Sequence, residues 1–147
     1  MSGIDDILVP VSPGELIDKI TILRIKARRI TDARKLANVR TELALLEGVL
    51  SRCVPLEAPL PALVDELQAV NEALWQIEDD IRDCERRGDF GPRFVALARS
   101  VYRENDRRAA LKRAINTALG SRIVEEKSYA PYAPDAPGPS TSRPQRS

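Results

Sequence analysis

The sequence predicts an all-α fold, and three features of the chain indicate it. Apolar residues recur at steps of three and four along four separate stretches, which is the spacing of one face of an α-helix. Proline and glycine lie between these stretches and mark where helices begin and end. The links between the stretches are short, which favours an antiparallel four-helix bundle or paired helical hairpins.

Helix one has the clearest start. Ser12-Pro13-Gly14-Glu15 is a capping box with proline at the first helical position, so the Ser12 hydroxyl can accept from the Glu15 amide and the Glu15 carboxylate can reach back. The helix is predicted to run to about Ile30. Ile22 and Ile25 lie opposite its main apolar stripe, and a helix that is apolar on two faces is central in the fold or lies at a subunit interface.

Two segments near the start of the chain could also suit a strand. The segment from Lys19 to Lys26 is rich enough in β-branched residues to suit a strand, but the strong cap and the continuing stripe favour a helix. Residues 7–11 are short, β-branched and interrupted by Pro10, so they are predicted to form an extended lead-in and not a core strand.

Helices two and three carry uninterrupted apolar seams of the coiled-coil type. Helix two follows a turn at Thr31-Asp32, helix three ends at Gly88, and helix four runs from about Pro92 to Gly120. The seam of helix two is Leu36, Val39, Leu43, Leu46, Leu50 and Cys53. The seam of helix three is Leu63, Leu67, Val70, Leu74, Ile77, Ile81 and Cys84.

Length and composition restrict the function. The 147 residues predict one helical domain over 1–129 and a disordered, proline-rich tail over 130–147. The 23 basic and 22 acidic residues give a net charge of +1, which argues against nucleic-acid binding. No membrane span and no targeting segment is recognisable, so the expected location is the cytoplasm.

The chain has no histidine, which excludes Ser-His or Cys-His catalysis and histidine-ligated metals. Cys53 and Cys84 are too few for a zinc site, and their places on apolar stripes predict buried free thiols. Glu78-Asp79-Asp80 is not expected to bind a metal, because consecutive helical residues point about 100° apart. The sequence therefore predicts neither a metal nor a cofactor.

Helix four carries the most unusual polar residues. Its apolar stripe from Phe94 becomes polar at Glu104 and Arg108, with Asn105 beside them, and buried charges are costly unless they are paired. Polar flanks of helices one and three could converge with this stretch around Trp75. The candidate ligand-binding residues are Lys19, Asn71, Trp75, Glu78, Arg82, Glu104, Asn105, Arg108 and Lys112.

Two interpretations of these residues remain open. In the first, they form a structural network with ordinary i,i+4 pairs, Glu104 with Arg108 and Glu78 with Arg82. In the second, they line a pocket for a small anionic ligand, whose floor is formed by Lys19, Arg82, Arg108 and Lys112.

Three sequence blocks resemble a family of small uncharacterised bacterial proteins, catalogued as a domain of unknown function. The blocks are VPVSPGELIDKITIL (9–23), NEALWQIEDDIR (71–82) and VYRENDRRAALKRAIN (101–116) with the later EEKSY (125–129). The resemblance implies that the cap and the polar residues belong together, and its members occur in bacterial surface-polysaccharide settings. The chain departs from the family pattern at Arg24, where an acidic residue is usual.

Two functions are compatible with these observations. The first is a non-catalytic protein-interaction or accessory module, a homodimer, which is suggested by the two-faced helix one and the long seams. The alternative is a protein or enzyme that binds a small anion or sugar phosphate in the cation-lined pocket. The sequence leaves open whether the protein is an enzyme.

Overall fold

A computed structural model describes residues 3–132 and contains four α-helices: α1 (Pro13–Arg29), α2 (Ala33–Cys53), α3 (Leu60–Arg87) and α4 (Pro92–Ala118). Within this range no residue belongs to a β-strand. The predicted all-α fold is confirmed. The disordered tail was predicted for 130–147, and from residue 133 onward it lies outside the described residues.

The helix ends follow the local capping signals. The Ser12 hydroxyl accepts from the backbone N–H of Glu15 at 3.1 Å, and Asp32 caps α2 in the same way. Gly88 ends α3 with φ of 64°, a left-handed conformation that glycine adopts without steric cost. One half of the predicted capping box is wrong: the Glu15 carboxylate does not return to the cap but accepts from Lys112 Nζ at 2.6 Å.

Helix α1 is the centre of the fold. It packs against the other three helices, α3 packs against α4, and the backbone of α2 approaches only α1. Buried side chains lie all round α1, from Leu16 and Ile17 to Ile25. Leu16 and Ile17 share a core with Leu67 of α3 and Ile115 of α4. Of the two predicted places for the first helix, central in the fold or at a subunit interface, the structure shows the first.

The two thiols differ. Cys84 is buried, as predicted, but Cys53 is exposed, so the prediction that both thiols are buried is wrong. The reason is the position of α2, which has a helical neighbour on one side only, so its apolar seam is covered only in part. Val39 and Leu50 are buried, whereas Cys53, in the last turn, is not.

Candidate functional site

A buried carboxylate connects three helices. Asp18 of α1 is 1 % exposed, and its side chain faces Arg108 of α4 and Asn71 of α3. Arg108 donates from Nε to Asp18 Oδ1 at 2.9 Å and from Nη2 to Oδ2, a bidentate pair. Asn71 Nδ2 donates to the same Oδ1 at 2.9 Å. This arrangement fixes the amide and the guanidinium side by side above one carboxylate oxygen.

The orientation of the Asn71 amide is determined by its neighbours. Thr21 Oγ1 donates its proton to the backbone oxygen of Asp18 at 2.8 Å, so towards Asn71 it can only accept. Asn71 Nδ2 donates to that Oγ1 at 2.8 Å and to the Asp18 carboxylate. Since both neighbours are acceptors, Nδ2 must face α1, and Oδ1 faces away from it. Asn71 Oδ1 is buried and accepts no hydrogen bond from the described part of the chain.

The network keeps Asp18 ionised. Burial raises the pKa of Asp18, but hydrogen bonds from Arg108 and Asn71 and the charges of Arg108 and Lys112 outweigh burial, and the pKa lies below its ordinary value. The pKa of Arg108 is raised in turn, chiefly by its hydrogen bond to Asp18. The pair is therefore charged and mutually neutralised at every physiological pH.

A second ion cluster joins the start of α1 to the segment after α4. Lys112 Nζ donates to Glu15 at 2.6 Å and to Glu125 at 3.0 Å, and the Ser12 hydroxyl donates to the other oxygen of Glu125 at 3.0 Å. Burial lowers the pKa of Lys112. The hydrogen bonds to Glu15 and Glu125 raise it by more than burial lowers it, so the pKa lies above its ordinary value. Burial raises the pKa of Glu125, and the bonds from Lys112 and Ser12 lower it more.

The helices carrying these clusters meet very closely. The backbone N–H of Gly14 donates to Asn116 Oδ1 at 2.7 Å. A Cβ atom at Gly14 would lie 2.5 Å from the backbone oxygen of Lys112, which no side chain tolerates. The glycine is therefore required for the contact between α1 and α4, and this contact sets the positions of Asp18 and Arg108.

A cavity of about 490 Å³ opens between α1, α3 and α4, directly beside the Asp18 network. Six of the nine predicted ligand-binding residues line it, which are Asn71, Trp75, Glu78, Arg82, Asn105 and Arg108. The remaining wall is largely apolar and includes Ile22, Leu74 and Val101. The polar flanks of helices three and four meet around Trp75, whereas helix one contributes only the apolar Ile22 to the wall and not the predicted polar flank.

The other three predicted residues lie elsewhere. Lys19 is exposed and lies 3.7 Å from Glu15, beside a different cleft. Lys112 belongs to the Glu15 and Glu125 cluster. Glu104 pairs with Arg107 and not with Arg108, so the predicted Glu104–Arg108 pair is wrong, because Arg108 turns inward to Asp18. The predicted pair of Glu78 with Arg82 does form, at 3.4 Å.

The four cations predicted as one floor do not converge. Arg82 and Arg108 line the Trp75 cavity, Arg108 and Lys112 line a second cleft of about 390 Å³, and Lys19 lines a third. Asp18 was missing from the predicted site, although it is the residue that positions Asn71 and Arg108. Its signals in the sequence were its place in the first block and on the polar flank of helix one, one residue from the chosen Lys19.

The third cleft, of about 640 Å³, lies between the lead-in and α2. The most exposed part of its apolar lining is Ile7, Leu8 and Val9 of the lead-in and Leu45 of α2, which we call the lead-in face. All four side chains are more than half exposed, and Leu8 is 91 % exposed. An exposed cluster of large apolar residues of this kind is a candidate interaction surface.

Across residues 3–132, no three cysteine, aspartate or glutamate side chains lie close enough to hold a metal ion. None of the helices described above is both long and apolar enough to cross a bilayer. The described part of the chain is an all-helical protein with a cavity at the junction of three helices, lined by both polar and apolar side chains. The chain belongs to a family of unknown function, DUF6165, whose model matches residues 7–143. No curated protein and no solved structure matched the sequence.

Proposed function

We propose that this protein is a non-catalytic interaction module that forms a homodimer through the lead-in face. The observation that carries the proposal is the exposure of Ile7, Leu8, Val9 and Leu45 around one cleft. Fully burying one such side chain stabilises an interface by about 1.5–3 kcal/mol. The lead-in is extended, apolar at three consecutive positions and not covered by a helix of the described chain. Such a segment can pack against a matching apolar surface.

The rim of the lead-in face supports a second copy as the occupant. Lys19, Glu42 and Asp6 lie on the same cleft, together with the uncharged Asn38 and Thr41. In a twofold dimer a surface meets itself, so Lys19 of one subunit can face Glu42 of the other. A rim that carries charges of both signs can meet its own copy with opposite charges facing, whereas a rim of a single sign would repel its copy.

The residues with shifted pKa values are paired with opposite charges, which supports a structural role for these residues. Asp18 is neutralised by Arg108, and Lys112 is held between two carboxylates. A catalytic acid or base must be able to exchange its proton near neutral pH. The pKa of Asp18 is lowered, and the pKa values of Arg108 and Lys112 are raised. All three therefore shift away from neutral pH.

The alternative, a binding site for a small anion or sugar phosphate, receives less support. Arg108, Lys112, Arg113 and Lys127 do lie near one cleft. However, each of them forms an ion pair: the partners are Asp18, Glu15 with Glu125, Glu126 and Asp106. A phosphate would have to displace these carboxylates. We propose a cytoplasmic location and an accessory role in the bacterial surface-polysaccharide setting that the family resemblance implies.

Light scattering after size exclusion, at high micromolar concentration, tests the proposal. The wild-type chain should have the mass of a dimer, and Leu8→Asp should have that of a monomer with an unchanged helical spectrum. Leu56→Asp is the matched control, because Leu56 is 64 % exposed and does not line the cleft. A monomeric wild type, or equal effects of the two substitutions, would refute self-association through this face.

A further inference from the structure

The lead-in has backbone groups that the rest of the described chain leaves unpaired. Each residue from 3 to 11 is exposed, and none of them belongs to a helix or a strand. Within residues 3–132, the N–H groups and carbonyl oxygens of residues 7–11 form no hydrogen bond with another backbone group. An exposed, extended segment in this state resembles the free edge of a β-sheet, which is a template for pairing with another chain.

The sequence of the lead-in lacks the residues that usually protect such an edge. Natural proteins block exposed edges with charged side chains, and no charge interrupts Ile7-Leu8-Val9-Pro10-Val11. Ile7, Val9 and Val11 are β-branched, and β-branched residues are enriched in strands. The one protective residue is Pro10, and a proline removes the donor from one edge only.

Pro10 determines which edge can pair. In an extended chain, the N–H and C=O groups of successive residues point to opposite edges. Pro10 has no N–H, so the edge formed by Leu8 and Pro10 lacks a donor. The opposite edge has the complete N–H and C=O groups of Ile7, Val9 and Val11, whose side chains are 79 %, 66 % and 42 % exposed. Only this second edge can therefore supply a continuous ladder of hydrogen bonds.

We infer that the lead-ins of two copies pair as antiparallel β-strands centred on Val9, an inference that rests on the homodimer proposed above. In this register Val9 lies opposite Val9 of the second copy, and Ile7 lies opposite Val11. Each such pair exchanges two N–H···O bonds. The arrangement is unchanged when the two copies are interchanged, as the twofold axis of a homodimer requires. Because β-branched residues lie symmetrically about Val9, this edge is complementary to its own copy.

Helix α2 supplies the support that a two-stranded ribbon needs. Two paired strands alone are marginally stable in water, but packing against a helix stabilises them. Leu45 of α2 is 54 % exposed and lines the same cleft as the lead-in, so each copy provides a helix for the ribbon. The pairing ends at α1, because Ser12 is the buried N-cap and Pro13 has no N–H. The second copy thus completes both the backbone hydrogen bonds and the apolar packing of the lead-in.

Proline substitutions on the two edges test the pairing, with the dissociation constant of the dimer measured by sedimentation velocity. Val9→Pro removes the central N–H but keeps the number of side-chain carbon atoms. Leu8→Pro is the control on the other edge, and its reference is Leu8→Val, which has the same number of side-chain carbon atoms. Val9→Pro should raise Kd at least about tenfold relative to the wild type, the effect of two lost hydrogen bonds. Leu8→Pro should stay within about twofold of Leu8→Val. An equal or larger ratio on the Leu8 edge would overturn the pairing.

Hydrogen exchange measured by NMR gives a second, independent readout. The backbone N–H groups of Ile7, Val9 and Val11 should exchange more slowly when the wild-type protein is concentrated and dimeric than when it is diluted, and the N–H of Leu8 should not change. A monomeric wild type would overturn the homodimer and the pairing together. If Leu8→Asp dissociates a wild-type dimer but the three N–H groups exchange equally fast at both concentrations, the lead-in face stands and only the strand pairing is overturned.

Discussion

Replacing Arg108 by methionine would leave the carboxylate of Asp18 buried without its cation. Asp18 is 1 % exposed and accepts three hydrogen bonds, two of which come from Arg108. Its Oδ2 would lose its partner, and only Asn71 would remain on Oδ1. Breaking a buried ion pair on one side costs about 3–5 kcal/mol, so the free energy of unfolding should fall by that amount.

Urea unfolding followed by circular dichroism measures this loss. For a chain of this length the same change lowers Tm by roughly 10–20 °C. Arg82→Met is the matched control, because Arg82 is exposed and its pair with Glu78 is an i,i+4 surface contact. Such pairs contribute little, and we expect a change within about 0.5 kcal/mol.

A double variant separates the cost of an unpaired charge from the loss of packing. In Asp18→Leu with Arg108→Met, no buried charge remains, and a pair replaced by apolar residues is often nearly neutral. We expect the double variant to regain at least about 2 kcal/mol over Arg108→Met alone. A loss below about 1 kcal/mol in the single variant, or no recovery in the double, would contradict the assignment of Asp18–Arg108 as the central pair.

Three further measurements follow from the structure. The pKa of Asp18 is lowered in the fold, so its stabilisation is complete above the ordinary aspartate pKa and is lost as pH falls through the lower folded value. Urea unfolding at decreasing pH should show a larger loss in the wild type than in Asp18→Asn, which keeps only the contributions of other carboxylates with lowered pKa, such as Glu125. Gly14→Ala should unfold the protein or cost at least about 3 kcal/mol, because its Cβ would lie 2.5 Å from a backbone oxygen of α4. Gly48→Ala is the control: its Cβ would meet nothing closer than 3.5 Å, so the substitution should stabilise α2 slightly. A thiol reagent should modify Cys53 rapidly and Cys84 only on unfolding, and equal rates would contradict their different burial.

The features that the sequence predicted well depend on neighbouring residues. The start of α1 follows from Ser12 and Pro13, and the end of α3 follows from Gly88, because a cap is formed within one turn of the chain. The central position of α1 follows from its apolar residues on both faces, which must be covered from several sides. These features can be predicted from the sequence because the residues that cause them are close together along the chain.

The features that the sequence missed depend on distant contacts. The burial of Cys53 could not be judged from its seam, because a seam shows which side of a helix is apolar but not how much of it is covered. Glu104 and Arg108 have the correct spacing for a pair, yet Arg108 instead meets Asp18, 90 positions earlier. Spacing along one helix cannot reveal a competing partner on another helix.

That single contact also changes the chemistry assigned to the cavity. Without it, Arg108 is an unpaired cation near the centre of three polar flanks, and an anionic ligand is the natural expectation. With it, the charge of the guanidinium is balanced by Asp18, which also accepts from the Asn71 amide. Because the same carboxylate binds both side chains, a change at Asp18 disturbs Asn71 and Arg108 together. The arrangement of these two cavity-lining residues therefore depends on the same residue as the stability of the junction between α1, α3 and α4.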